Sequence, residues 1–432
     1  MSTRLLRSGG ALALCLVLSN PSGAQVAAPA APLPAAPAAE EGFAADRLDR
    51  LHARLKRFVD DGQVAGVVSL VARHGRIVDV HTVGMRNREK QLPMTRDTIV
   101  RIYSMSKIVT SVAVLMLVEE GALRLEDPIA QYLPALKAPQ VFTGGTPAAP
   151  QLATAVRPIT IRHLLTHTSG FAYGLAQGPV DDMYRAAKIF ESKTADEFIA
   201  KIAALPLAAQ PGERFNYGVN TDLLGAIVEK VSGQSLGAFM KARIFDPLGM
   251  PDTAFDVPAA KRARLASLYQ REGTKPLANV ETIQVPGAER AAIPYPDPDG
   301  RLMHSGGGGL FSTADDYARF AQMLLNGGEL DGVRILGRKT VASMTANQMT
   351  HVTNPGNTHQ GFGLGVSVRI DQAGGPVAGS IGEFGWSGAA TTYVSIDPQE
   401  QLVSILLTQH FPGNQPGIYS VFSTMVNAAL VR

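Results

Sequence analysis

Ser104 and Lys107 are the two residues whose types and spacing best fit catalytic chemistry. The segment Ser104-Met105-Ser106-Lys107 leads into an apolar run at helical spacing, and helix positions three apart lie on one face. A seryl oxygen becomes a good nucleophile when a nearby base takes its proton, and a lysine can be that base. The spacing therefore predicts a serine nucleophile with a lysine partner. A serine cap followed by a solvated lysine is the alternative.

Tyr217 is the second candidate catalytic residue. It lies in Tyr217-Gly218-Val219, in a loop that opens onto the helix-like segment beginning at Asp222. Because a nearby cation favours the phenolate form of tyrosine, a tyrosine close to a lysine can accept or shuttle a proton. The alternative is an aromatic packing residue whose hydroxyl makes a structural hydrogen bond.

The glycine-rich segment Gly385-Trp386-Ser387-Gly388-Ala389 is the third candidate. Glycines at the start of a strand allow a ligand to approach the backbone closely. Trp386 is the only tryptophan in the chain, and its indole could form one wall of a substrate pocket. Ordinary core packing of the indole is the alternative interpretation.

The elements that must position these residues are segregated along the chain. The predicted strands lie at 64–72, 77–83, 97–103, 361–370, 389–396 and 402–409. The predicted helices lie at 44–60, 104–121, 159–165, 222–231, 236–244, 314–325 and 418–430. The segment 137–156, rich in Pro, Ala and Gly, is predicted to be a loop. This order predicts an α+β fold in which both ends of the chain build an antiparallel sheet around an inserted helical region.

Composition indicates an exported globular protein. The 432 residues are 45% hydrophobic and 18% charged, and a formal net charge of +3 offers no basic footprint for nucleic acid. Arg4 and Arg7 precede an apolar stretch and a small-residue cleavage signal, which predicts a signal peptide over residues 1–24 and a periplasmic or secreted protein. Cleavage would remove Cys15, the only cysteine. The mature chain could then form no disulfide and could not use a cysteine in catalysis.

The remaining chain is predicted to contain one domain. Residues 25–41 form an Ala/Pro-rich linker, which we expect to be an extended tether, and the folded domain is expected to span 42–432. No other stretch is long enough to span a membrane. The histidines show no metal-ligand spacing, so no metal or cofactor is expected. The expected partner is a small-molecule ester or amide substrate, and the oligomeric state is left open.

In these motifs the chain resembles the serine β-lactamase-related superfamily, which contains class C β-lactamases, D-alanyl-D-alanine carboxypeptidases and family VIII carboxylesterases. Residues 104–107 match its first motif, residues 217–219 its second, and residues 386–388 lie where the third, Lys-Thr-Gly-like motif belongs. The resemblance implies a β-lactamase/transpeptidase-like fold, with an antiparallel sheet flanked by helices beside an all-helical subdomain. It also implies that the backbone N–H groups of Ser104 and Ala389 hold the oxyanion and that Trp386, Ser387 and Gly388 contact substrate.

Two departures from the class C pattern bear on the substrate. Those enzymes carry an asparagine two residues after the motif tyrosine, where this chain has Val219, and a basic residue that opens the third motif, where it has Trp386. A site without that cation disfavours anionic substrates and suits neutral esters. Both changes resemble the family VIII esterases, so we expect a carboxylesterase that acts through a seryl acyl-enzyme.

Other functions remain as alternatives. A β-lactamase, a D-alanyl-D-alanine carboxypeptidase or an acyltransferase would use the same acyl-enzyme chemistry. A catalytically silent, penicillin-binding-like protein is the alternative of another class, although the presence of both Ser104 and Lys107 favours an enzyme. Lys107 and Tyr217 are expected to share the proton transfer, and either can be the principal base.

Ser235 and His167 are interpreted as structural residues. Gly233-Gln234-Ser235-Leu236-Gly237 matches the Gly-x-Ser-x-Gly nucleophile pattern of α/β-hydrolases, but that elbow must follow a strand. Because the preceding segment is predicted to be helical, Ser235 is assigned as the N-cap of the next helix. His167 is assigned to a turn rather than to a general base.

Replacing the two serines separates the nucleophile from the cap. We expect Ser104→Ala to abolish both turnover and covalent labelling by a fluorophosphonate. Ser235→Ala should remain active and lose only the cap, about 1 kcal/mol of stability. A folded Ser235→Ala variant that no longer reacts, alongside an active Ser104→Ala variant, would reverse the assignment.

Overall fold

The computed structural model describes most of the chain. The described residues are 31–273, 275–280, 296–350, 359–373, 378–414 and 416–432. The predicted signal peptide and the first part of the predicted linker lie outside the described residues.

The helices agree closely with the segments predicted from the sequence, and the described residues contain four further helices (α4, α5, α8 and α10). The helices are α1 (Ala45–Asp60), α2 (Ser106–Glu119), α3 (Ile161–Leu165), α4 (Pro179–Ala186), α5 (Ala195–Ala203), α6 (Asn220–Ser232), α7 (Leu236–Met240), α8 (Asp246–Leu248), α9 (Ala314–Leu325), α10 (Arg338–Met344) and α11 (Ile418–Ala429). A π-helical turn over Lys241–Phe245 joins α7 to α8.

The strands form one large antiparallel sheet and several small ones. The strands are β1 (Gly66–Arg73), β2 (Arg76–Asn87), β3 (Leu92–Pro93), β4 (Val100–Arg101), β5 (Gln140–Thr146), β6 (Ala149–Thr154), β7 (Tyr269–Gln270), β8 (Ala278–Asn279), β9 (Phe311–Ser312), β10 (Glu329–Leu330), β11 (Val333–Arg334), β12 (Gln360–Phe362), β13 (Ser367–Arg369), β14 (Phe384–Gly388), β15 (Thr392–Asp397), β16 (Leu402–Leu407) and β17 (His410–Phe411). The large sheet has the order β12-β13-β14-β15-β16-β1-β2-β3. Both ends of the chain meet where β1 pairs with β16, as the segregated pattern predicted.

Helices α1 and α11 cover one face of the large sheet. On α1, Leu48, Leu51, Leu55 and Phe58 are buried, and they pack with apolar residues of α11, β1 and β16 in one cluster. Apolar residues three and four positions apart give α1 the stripe that holds it against the sheet.

Helix α2 lies at the centre of the molecule. All of its residues from Ser106 to Leu117 are buried, and its apolar side chains share one cluster with α6, α9 and the other face of the sheet. A helix that is apolar on all sides is stable when protein surrounds it. α2 is therefore a rigid platform for the residues at its N-terminus.

The prediction of a loop over 137–156 is wrong, because this segment forms the hairpin β5–β6. The predicted all-helical region therefore contains two strands. Phe142 N donates to Leu207 O at 2.9 Å, which anchors the hairpin to the domain. The pairing rests on main-chain hydrogen bonds, and the Pro-, Ala- and Gly-rich composition carries little strand signal.

Other predicted strands are shortened. The segment 97–103 contains only the two-residue strand β4, and 361–370 is divided into β12 and β13. Between those two strands, Gly365 adopts a φ of +91°, and a Cβ there would lie 1.9 Å from the Ser111 Oγ on α2. Only glycine fits this close approach, and the turn that it forms interrupts the strand.

The described end of the predicted linker is part of the folded domain. Ala35 pairs with Ile77 at the sheet, Ala36 N donates to Ile77 O at 2.9 Å, and Leu33 is buried in the main core. The predicted start of the domain at residue 42 is therefore too late. An extended backbone can add to an exposed strand through main-chain hydrogen bonds, which composition does not reveal.

Neither a membrane span nor a metal cluster occurs in the part of the chain that the structure describes. None of its helices combines the length and the apolar composition needed to cross a bilayer. In the same residues, histidine, cysteine and carboxylate side chains do not gather in a group of three that could hold a metal ion.

Asp316 in the first turn of α9 predicts a pH-dependent stability. It is buried and accepts hydrogen bonds from Asp252 N at 2.8 Å and Thr253 Oγ1 at 2.9 Å. Burial raises the pKa of this carboxyl to about 6. The folded state then holds the proton more tightly than the unfolded chain, so this carboxyl costs stability above pH 6 and ceases to do so below its unfolded pKa of about 4.

We expect Asp316→Asn, which keeps an oxygen acceptor, to raise the free energy of unfolding at pH 8 by about 1–3 kcal/mol more than at pH 4. Urea unfolding across this pH range measures the difference. Asp315→Asn is the control, since its partner Arg96 is 43% exposed at the side chain and such pairs are worth less than about 1 kcal/mol. A gain from Asp316→Asn that is equal at both pH values contradicts the burial argument.

Candidate active site

Ser104 lies in a tight turn that precedes α2. A 3₁₀ turn over Tyr103–Met105 connects β4 to α2, which begins at Ser106 rather than at Ser104. Tyr103 has a φ of +43°, a left-handed conformation that is unfavourable for a residue with a side chain. The strained turn leaves Ser104 partly exposed at the end of a buried helix.

Lys107 is buried one turn after Ser104 and reaches back to it. The residue is 1% exposed, and Nζ lies 3.1 Å from Ser104 Oγ. Nζ also donates to the carbonyl oxygen of Gly307 at 2.6 Å and to Tyr173 Oη at 3.3 Å. The predicted serine–lysine contact is present, and hydrogen bonds to protein groups, rather than water, surround the lysine amino group.

Tyr217 approaches Ser104 from the other side. Its hydroxyl donates to Ser104 Oγ at 2.8 Å. The preceding Asn216 donates from Nδ2 to Phe171 O at 2.7 Å, and a Cβ on Gly218 would lie 2.1 Å from the same carbonyl. Close backbone packing on both sides of Tyr217 thus sets the position of the phenol, and Ser104, Lys107 and Tyr217 converge as the sequence predicted.

Strand β14 brings the third motif to the same place. Trp386 Nε1 donates to Tyr217 Oη at 3.3 Å, and the indole meets the Phe362 ring edge-on with the centroids 5.3 Å apart. A Cβ on Gly388 would lie 2.3 Å from the carbonyl oxygen of Ile102. Glycine at this position therefore lets the end of β14 pack against the turn that carries Ser104, and Ala389 follows directly after it.

The predicted contact between the Ser387 side chain and the substrate is wrong. Successive side chains on a strand point to opposite faces, and Trp386 packs on the main core whereas Tyr393, the register partner of Ser387, packs on the α1/α11 cluster. Ser387 lines a cavity on that second face together with Tyr419. Its side chain is therefore directed away from Ser104, and only its backbone can contribute to substrate binding.

The structure adds two residues that the sequence analysis did not assign to the site. Tyr173 Oη lies 3.4 Å from Asp222 Oδ2, and Asp222 also accepts from Gly307 N at 3.1 Å and from the Ser305 hydroxyl. Burial raises the pKa of Asp222, whereas the nearby positive charge of Lys107 and these hydrogen bonds lower it. An acidic residue within an apolar helical run was the available signal, since a buried carboxyl requires partners.

Aromatic rings enclose the amino group of Lys107. Tyr173 stacks on Tyr217 with the centroids 5.4 Å apart and on Phe190 at the same distance. Lys107 Nζ lies 5.1 Å from the centroid of Tyr173 and 4.8 Å from that of Tyr217. Ring faces attract a cation, so the stack compensates in part for the burial of the lysine.

His167 and Ser235 have the structural roles that were predicted. His167 is fully buried, and burial lowers the pKa of its ring well below the usual value, with a further contribution from Lys107. Its Nδ1 lies 2.8 Å from Asn220 Nδ2, and its ring packs against Tyr217. Ser235 Oγ accepts from Ala238 N at 3.2 Å as the N-cap of α7.

Comparison with known proteins finds similar sequences and structures over most of the chain. A family model described as Beta-lactamase matches residues 51–420. Protein Rv1367c of Mycobacterium tuberculosis is 36% identical over 378 residues, which cover 84% of this chain and 90% of that protein. Esterase EstB of Burkholderia gladioli is 31% identical over 378 residues, 84% of this chain and 91% of the esterase. The solved structure of EstCE1, a hydrolase with promiscuous acyltransferase activity, superimposes with a TM-score of 0.73 at 26% identity and covers 90% of this chain and 99% of that one.

Proposed function

The chain belongs to the beta-lactamase family, and we propose that within this family it is a carboxylesterase that cleaves neutral esters through an acyl-enzyme on Ser104. The observation that carries the proposal is the indole of Trp386, which occupies the start of the third motif and donates a neutral hydrogen bond to Tyr217. The relationship to the esterase EstB supports the same activity.

Acylation begins at Ser104. Its Oγ attacks the ester carbonyl carbon and gives up its proton to the Lys107–Tyr217 pair, whose polar atoms lie 3.1 and 2.8 Å from Oγ. The new C–O bond forms a tetrahedral oxyanion, and the backbone N–H groups of Ser104 and Ala389 are the proposed donors to it. When the bond to the alcohol breaks, the alcohol leaves with a proton from the same pair.

Deacylation reverses this sequence with water as the nucleophile. The water loses a proton to the pair, attacks the seryl ester and releases the carboxylic acid, and Ser104 recovers its proton. An alcohol in place of water would accept the acyl group instead. The promiscuous acyltransferase activity of EstCE1 makes acyl transfer the second candidate function.

The charge of the site underlies the choice of neutral esters. The β14 side chain that contacts Tyr217 Oη is the indole of Trp386, and Val219, two residues after Tyr217, is apolar and buried. A substrate carboxylate at this wall would give up its hydration without gaining a charged partner there. A β-lactam or a D-alanyl-D-alanine peptide carries such a carboxylate on its leaving-group side, whereas a simple ester does not.

A substrate panel tests the proposal. We expect p-nitrophenyl esters with short acyl chains to be hydrolysed with a higher kcat/KM than nitrocefin or a D-alanyl-D-alanine peptide, because only the anionic substrates require a cation at Trp386. Ser104→Ala is the control for background hydrolysis. Faster turnover of nitrocefin or of the peptide than of every ester refutes the esterase assignment.

Trp386→Lys tests the charge argument directly. The new ammonium should stabilise the bound carboxylate of a β-lactam by about 1–3 kcal/mol if it is partly desolvated. Apolar esters should bind less well, because the indole contact is lost and a cation must be desolvated. The expected result is a crossover in relative kcat/KM between the two substrate classes.

Trp386→Leu is the matched control for this substitution. It removes the indole without adding charge, so it should slow ester hydrolysis and leave β-lactam hydrolysis no faster than in the parent. Equal losses for both substrate classes in a folded Trp386→Lys variant would show that Trp386 serves packing alone.

A further inference from the structure

Tyr173 lies outside the three motifs, yet its hydroxyl contacts the amino group of Lys107. Among the described residues, Nζ has three oxygen atoms within hydrogen-bond distance: Gly307 O at 2.6 Å, Ser104 Oγ at 3.1 Å and Tyr173 Oη at 3.3 Å. The first is a carbonyl and can only accept a hydrogen bond. The other two are hydroxyl oxygens, and the direction of each hydroxyl proton decides whether the group donates to Nζ or accepts from it.

Asp222 determines the direction of the Tyr173 proton. Its Oδ2 lies 3.4 Å from Tyr173 Oη, and an ionised carboxylate only accepts hydrogen bonds. Gly307 N, at 3.1 Å, and the Ser305 hydroxyl hold the other oxygen of the same carboxylate. Tyr173 therefore donates to Asp222 and presents its lone pairs to Lys107.

A neutral lysine amine has two N–H bonds and one lone pair. If Gly307 O and Tyr173 Oη accept the two N–H bonds, the remaining tetrahedral direction, toward Ser104, is the lone pair. We propose that Tyr173 is a positioning residue that, together with Asp222 and the Gly307 carbonyl, aims the Lys107 lone pair at the Ser104 hydroxyl. After proton transfer the same two oxygens hold the ammonium, and its third N–H faces Ser104.

The ring of Tyr173 keeps the hydroxyl in place. It is stacked between Tyr217 and Phe190, each with centroids 5.4 Å away and with interplanar angles of 19° and 22°. Tyr173→Phe can keep these ring contacts and remove only the oxygen that faces Lys107. The inference rests on the proposed role of Ser104 as nucleophile, but not on the identity of the ester.

The test measures how fast Ser104 reacts in Tyr173→Phe. We expect the second-order rate of fluorophosphonate labelling, and kcat/KM for p-nitrophenyl butyrate, to fall about 10- to 100-fold, which is less than the full effect of about 100- to 10,000-fold of a general base because Lys107 itself is retained. The loss should appear in kcat, with KM little changed, because Tyr173 acts on the base. The low-pH limb of the labelling rate should also move to lower pH, because the ammonium loses an acceptor. Asp222 and His167, which interact electrostatically with Lys107, are retained in this variant.

Tyr132→Phe is the matched control. The Tyr132 hydroxyl donates to the buried Asp127 at 2.7 Å, so the substitution removes a comparable tyrosine–aspartate hydrogen bond. This control should label at nearly the parent rate and keep the parent pH profile. If it slows labelling as much as Tyr173→Phe, the loss is general destabilisation and the inference is wrong.

The remaining outcomes are also decisive. Labelling of folded Tyr173→Phe within twofold of the parent, with an unchanged pH profile, overturns the positioning role. If Tyr173→Phe does not fold, Asp222→Asn is tested in its place. The amide of the new asparagine can donate to Tyr173 Oη and turn the Tyr173 hydroxyl proton toward Lys107. Slow labelling of this variant then supports the inference, and labelling at the parent rate overturns it. If the parent is labelled but hydrolyses no ester, the esterase proposal fails while the labelling comparison still decides the role of Tyr173.

Discussion

The burial of the Lys107 amino group is the constraint on which the rest of the site depends. Lys107 is 1% exposed, and at such a position a charged amine is tolerated only where protein groups replace its water shell. The carbonyl of Gly307 at 2.6 Å and the two tyrosine rings within 5.1 Å supply that replacement. The same contacts immobilise the nitrogen beside Ser104. The contacts that compensate for burying the amine are therefore the same contacts that hold it in position for catalysis.

The Lys107 amino group needs hydrogen-bond acceptors, and this need explains the packing of residues that lie outside the three motifs. Gly307 must lack a side chain, because a Cβ there would lie 2.4 Å from a carboxylate oxygen of Asp222. Asp222 in turn is buried in α6, which packs beside α2 in the main core. The carboxylate orders the backbone at Gly307, and the backbone holds the lysine. A loop, two helices and a turn are thus joined through one buried polar network, in which each member satisfies another.

Local spacing was sufficient to predict the contact between Ser104 and Lys107, because residues three apart meet wherever the chain turns helically. Tyr173 and Gly307 could not be found in this way, since they lie 66 and 200 positions from Lys107 and are brought to it by tertiary packing alone. The segregation of strands and helices likewise predicted the sheet. The hairpin over 140–154 was missed because main-chain pairing, rather than side-chain pattern, holds it.

Trp386 connects the proposed substrate preference with the proposed proton path. The indole N–H lies 3.3 Å from Tyr217 Oη and supplies a neutral hydrogen bond, without the positive charge that a lysine would place there. The Tyr217 hydroxyl donates to Ser104 Oγ at 2.8 Å. A hydroxyl that donates along this bond cannot also accept the serine proton through it, so within the proposed pair we infer that the lone pair of Lys107 is the acceptor during attack. Tyr217 is then placed to protonate the departing alcohol. One apolar residue in the third motif would thus both exclude an anionic substrate and divide the acid and base roles between the two partners of Ser104.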